Sequence, residues 1–174
     1  MWDLSILGID FYHLINWFII YSFFGWVWET CYVSIKSGKY VNRGFINGPF
    51  CTIYGCGAVS VYVILRPVSG NLLWLYIGGV VVATALEYVT AVLMETIFHT
   101  SWWDYSEKPF NYKGIICLES SLGWGFLGIV YYGFLNGFLH RLVGLVPESL
   151  EKGLAMSLLV FYIFDFLCSF RQAL

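Results

Sequence analysis

The sequence predicts an all-α, polytopic integral membrane protein with about five transmembrane helices, one of them short enough to be broken or re-entrant. Three observations predict it. Hydrophobic residues make up 59% of the 174 positions and charged residues only 11%, against about 25% charged in soluble domains. A chain so poor in charge cannot cover its own surface in water, so the lipid bilayer is its expected partner. Five apolar stretches then recur along the chain, most of them near or above the roughly 20 residues a helix needs to cross a bilayer. Finally, the chain holds 8 Trp and 13 Tyr, rings that favour the headgroup level with the apolar body in and the polar tip out.

The length allows a single membrane domain, 1–174. The first span is Phe11–Ile35, preceded by Asp3 and Asp10 and by no Lys or Arg. It therefore lacks the basic n-region of a cleaved signal and is expected to stay. The second, Phe50–Leu65, is the shortest and carries Gly55 and Gly57, which suits a tilted, broken or re-entrant segment. The third is Asn71–Phe98. The fourth, Ile115–Leu142, is interrupted by Gly123, Gly125 and Gly128 and is expected to begin irregularly before becoming helix. The fifth is Gly153–Phe170. Counts of Lys and Arg favour an outer N-terminus and an inner C-terminus: Lys36, Lys39, Arg43, Lys108, Lys113 and Arg171 inside against Arg66, Arg141 and Lys152 outside.

The net charge of -2 and the lack of a basic run give no reason to expect nucleic acid. The five cysteines, Cys31, Cys51, Cys56, Cys117 and Cys168, include no CxxC pair and read as small hydrophobes. Gly133 and Gly137 form a GxxxG in the fourth span. That spacing lets helix backbones approach closely, within one subunit or across a homo-oligomer. Asn136 and His140 share a helix face and read as an interhelical hydrogen-bonding pair in preference to a weak ligand site.

Polar residues carry the functional signal. Ionisable groups within spans are costly and face cavities or partners. Spans one, three and five end on the side where span four starts. Glu29, Glu87, Glu95, Glu119 and Asp165 therefore all fall in one half of the bilayer. Two polar loops lie on that side, 36–49 and 99–114; they supply Arg43, Asn47, Trp102, Trp103, Asp104, Tyr105, Asn111 and Lys113. Glu87, Ala91, Met94 and Glu95 make one stripe of a helix, and Ser22, Gly25, Trp26, Glu29, Tyr32 and Lys36 another. Arg43 is the natural counter-ion, its charge permanent and its fork matched to carboxylates. The expected arrangement is a polar cavity lined by Glu29, Glu87 and Glu95, with Arg43 and Trp103-Asp104-Tyr105 at its mouth and Asn111 and Glu119 nearby. The plainer alternative is that Glu29–Arg43 and Glu95–Lys113 pairs merely lock loops to helix ends.

The run Arg43-Gly-Phe-Ile-Asn-Gly-Pro-Phe-Cys-Thr-Ile-Tyr-Gly55 resembles the signature of the type IV ABC-transporter family of CmpB-like integral membrane proteins. So do Trp103-Asp-Tyr-Ser, Pro109-Phe-Asn, Gly114-Ile-Ile-Cys-Leu118, Glu29 within Trp28-Glu-Thr, and Glu87. The resemblance spans Tyr12 to Arg141 and leaves the last span outside. It implies a permease-like role without a defined substrate.

Transport of a cation or small polar solute is the leading functional expectation, since an aromatic beside a carboxylate suits organic cations. No G-x-x-x-x-G-K-[ST] occurs, so ATP-driven transport requires a separate ATPase subunit. A membrane enzyme using His99, Asp104, Cys117 and Glu119 is the second reading, without H-E-x-x-H or G-x-S-x-G to support it. A non-transporting membrane partner protein is the third. No cofactor is expected, and the sequence leaves any metal undetermined.

Overall fold

The computed structural model describes residues 5–6, 8–143 and 145–174, with the side chains of 5, 6, 140 and 142 excluded. Asp3 and the side chain of His140 therefore lie outside the described residues. After a short hairpin, β1 (Ser5–Ile6) and β2 (Ile9–Asp10), the chain forms α1 (Phe11–Ser37) and α2 (Thr52–Leu65). A 3-10 turn (Arg66–Val68) leads to α3 (Leu72–Phe98). A second hairpin, β3 (Asn111–Tyr112) and β4 (Ile116–Cys117), precedes α4 (Leu118–Val130). A π-helical turn (Tyr131–Leu135), α5 (Asn136–Val143) and α6 (Glu148–Ala173) complete it. Among the described residues, four helical stretches are long and apolar enough to span a membrane: Phe11–Ser37, Leu72–Phe98, Leu118–Leu139 and Glu148–Ala173. The protein is an all-α, multi-pass membrane protein.

The chain divides into two compact units, Met1–Val59 with Val143–Leu174, and Ser60–Leu142, the division falling within α2. In the first unit α1 and α6 run parallel. Glu151, one turn into α6, accepts hydrogen bonds from Asn16 and His13 near the start of α1, each at 3.0 Å. Further along, Phe18 meets Tyr162 edge-on. Between them Tyr12, Ile15, Ile19, Ala155 and Tyr162 form a buried core with Ile46 and Phe50. The helix α2, at 14 residues, is apolar but shorter than the four long stretches.

The segment before α2 is anchored to the first helix. Residues 38–51 fold back along α1: Val41 N–H donates to Ser34 Oγ, Arg43 N–H to Thr30 Oγ1, and Cys51 N–H to the Ser22 carbonyl. At 27 residues α1 is about 40 Å long, and α2 starts beside its middle. The chain that leads into α2 is non-helical. Non-helical backbone survives at such depth only when protein satisfies its polar groups. From α6, Ser169 Oγ accepts the Asn47 N–H at 3.0 Å and Asp165 Oδ2 accepts the Gly48 N–H at 2.6 Å. Ile46 at 2% exposure seals the segment.

In the second unit α3 and α4 are antiparallel and in close contact through glycines. A methyl added to Gly125 would lie 2.6 Å from Val80 and 2.8 Å from the Tyr76 ring. Tyr132, in the π-helical turn, donates its hydroxyl to the Tyr62 carbonyl of α2 at 2.6 Å. By contrast, a methyl on Gly133 or Gly137 would meet nothing within 4 Å. Among the described residues, then, nothing packs directly on the GxxxG.

Candidate functional site

The fold-back construction recurs in the second unit. Segment 99–117 returns along the last three turns of α3, and α4 starts beside Glu87. Its shape is set locally. Asn111 Nδ2 donates to the carbonyls of Ser106 and Lys108, and its Oδ1 accepts the Gly114 N–H at 3.1 Å. Asp104 Oδ1 accepts both the hydroxyl and the amide of Ser106. These two donors hold the Asp104 carboxyl below the usual aspartate range. Gly114 sits at φ +69°, and a side chain there would strike Asp104 Oδ1 at 2.8 Å. Trp103 donates its indole N–H to the Ile115 carbonyl at 2.8 Å, tying the two limbs together.

Between this segment and α3 lies a cavity of about 200 Å³. Ala91, Met94 and Glu95 form its helix wall; Trp102, Trp103 and Asp104 form one limb and Lys113 with Gly114 the other. Glu95 lies less than a turn from the helix end and makes no side-chain hydrogen bond or ion pair among the described residues. The Glu95–Lys113 pair of the plainer alternative does not form among the described residues.

Glu87 is placed differently. It is 3% exposed and does not line the cavity. Its Oε1 accepts the Tyr105 hydroxyl at 2.9 Å; its Oε2 accepts the Trp124 indole N–H at 3.0 Å and the Ser120 hydroxyl at 3.4 Å. An indole N–H can only donate, so the network demands an acceptor at this point. Through Tyr105 the carboxylate anchors one cavity limb to α3. Glu119 sits outside on the surface, paired with Lys108 at 2.8 Å.

The remaining two residues of the expected site belong to the first unit. Glu29 accepts the Tyr54 hydroxyl at 2.6 Å and pairs with Arg43 at 3.6 Å. The construction parallels that of Glu87. In each unit a carboxylate on the long helix binds the residue three positions after a cysteine, Tyr54 after Cys51 or Ser120 after Cys117. Asp165, the fifth intramembrane acid, is accounted for by its backbone bond to Gly48.

Sequence reasoning missed the partners rather than the acids. Tyr54, Ser120 and Trp124 are neutral donors, and a search for charges passes over them. Glu151 was missed because it sits among the charges before the expected start of the last span at Gly153; α6 begins earlier, at Glu148, and buries it. No group of three or more His, Cys, Asp or Glu able to hold a metal occurs among the described residues.

Comparison with curated proteins and with solved structures finds no match. A family model described as "Putative ABC-transporter type IV" matches residues 16–170. The match takes in α6, which the motifs alone had left outside. With nearly the whole chain covered, this multi-pass membrane protein belongs to that ABC-transporter-related family.

Proposed function

We propose that the chain is a permease-like transporter subunit of the cell membrane, and that the cavity against α3 takes a cation or small polar solute. The observation that carries this reading is Glu95, an unpaired carboxylate at the end of a membrane helix, facing a cavity walled by Trp102 and Trp103. A carboxylate beside aromatic faces attracts organic cations by charge and by the ring quadrupole. Family membership supports a transport role. In this reading Asp104 adds negative charge at the mouth, while Glu87, Tyr105 and Asn111 keep the walls in place. Glu29 with Arg43 forms the corresponding carboxylate of the first unit, and Glu119 helps hold the loop. The sequence contains no phosphate-binding G-x-x-x-x-G-K-[ST], so ATP hydrolysis would fall to a separate subunit. The open Gly133–Gly137 face would serve a second copy of the chain.

The test is direct binding to the protein in nanodiscs, read by ligand-observed NMR with propylammonium as the probe. Saturable binding that Glu95→Gln weakens about tenfold or more supports the reading. Absence of binding by both propylammonium and β-alanine, or binding indifferent to Glu95 and to Trp103→Leu, overturns it.

A further inference from the structure

We infer that the cavity is built for a dipolar solute, one carrying an ammonium and an anionic group a few bonds apart. This rests on the solute-site reading and narrows it. The carrying observation is Lys113. It lines the same cavity as Glu95 and Asp104, yet it forms no ion pair with either among the described residues. Its ammonium lies 5.5 Å from the centre of the Tyr112 ring.

Its placement is specified by the backbone. Lys113 itself adopts φ +55° and Gly114 follows at φ +69°, a conformation that L side chains rarely adopt. The Asn111 carboxamide holds that turn through Gly114. The turn therefore presents a cation to the cavity from the limb opposite Trp102 and Trp103. Lys108, five residues earlier, is discharged against Glu119, so the loop already has one neutralised lysine. Lys113 is not neutralised.

An acid and a base that line one cavity without pairing leave each other's complement to be supplied from outside. A ligand cation answers Glu95, with Asp104 and the indole faces beside it. A ligand carboxylate or similar anion answers Lys113. A purely cationic solute would meet the Lys113 charge as repulsion, and a purely anionic one would meet Glu95 and Asp104.

The experiment compares three molecules of matched size against the protein in nanodiscs: β-alanine, propylammonium and propionate. β-Alanine is expected to bind about tenfold tighter than propylammonium, the scale of one added charge-assisted bond, with propionate weakest. Lys113→Met should abolish that preference, and Lys113→Arg should keep it. Thermal melting of both variants shows whether they fold; if Lys113→Met does not, Lys113→Gln takes its place. Propylammonium binding equal to or tighter than β-alanine in the wild type overturns the dipolar inference and leaves the solute site standing. So does a β-alanine preference that survives loss of the Lys113 charge. No binding by either amine removes the site itself.

Discussion

Exchange of Glu87 for Met removes the acceptor on which Tyr105, Trp124 and Ser120 converge. Ser120 retains a bond to the Cys117 carbonyl at 3.0 Å, so its loss is small. Tyr105 and Trp124 each lose a bond of about 3 Å to a buried carboxylate. At about 1–3 kcal/mol for each buried bond lost, Glu87→Met should cost about 2–6 kcal/mol. Tyr105→Phe alone removes a single bond and should cost about 1–3 kcal/mol. In the double variant the phenol has no acceptor to lose, and the second change becomes nearly free. The coupling between the two sites should therefore be about 1–3 kcal/mol. Reversible unfolding in mixed micelles measures all four corners of the cycle. Additivity within about 0.5 kcal/mol would refute the claim that Glu87 anchors the cavity wall through Tyr105.

Four further outcomes follow from the same geometry. Gly125→Ala should destabilise by about 1–3 kcal/mol through overpacking against Val80 and Tyr76, while Gly123→Ala, with nothing within 4 Å, should change melting little. Gly133→Leu with Gly137→Leu should leave folding intact and lower the cross-linked dimer fraction; unchanged cross-linking would remove the self-association reading. Arg43→Gln should cost at most about 1 kcal/mol, because its pair with Glu29 is long and partly exposed. For Asp104, a carboxyl held below its usual range stabilises the loop above the ordinary aspartate pKa, about 3.9. That contribution is lost as pH falls through the depressed value. Ser106→Ala should return the Asp104 titration, followed by carboxyl 13C NMR, towards the ordinary value.

Composition and hydropathy were enough to specify a multi-pass helical protein, since lipid as solvent imposes a coarse and strong pattern. The glycines were less legible: Gly55 and Gly57 lie inside the continuous helix α2, and Gly123, Gly125 and Gly128 lie inside the regular helix α4 rather than in an irregular start. What sequence could not give was the depth to which residues 38–51 and 99–117 fold back. That depends on side-chain acceptors from distant elements, such as Ser169 and Asp165 on α6 for the amides of Asn47 and Gly48. The expectation of one cavity joining Glu29, Glu87 and Glu95 treated the acids as alike. In the structure Glu87 is consumed by three neutral donors, Asp165 by a backbone amide and Glu119 by Lys108. Glu95 is left facing a cavity.

Access to that cavity is the most direct test of the account. In a cysteine-depleted background, Ala91→Cys places a thiol on its helix wall and Ser106→Cys marks the loop side. A membrane-impermeant cationic thiol reagent should modify both from the same side of sealed vesicles. Millimolar β-alanine should slow the reaction at position 91 and leave position 106 unaffected. Equal rates at position 91 with and without either β-alanine or propylammonium, or modification only from the opposite side, would contradict a solute site in the cavity.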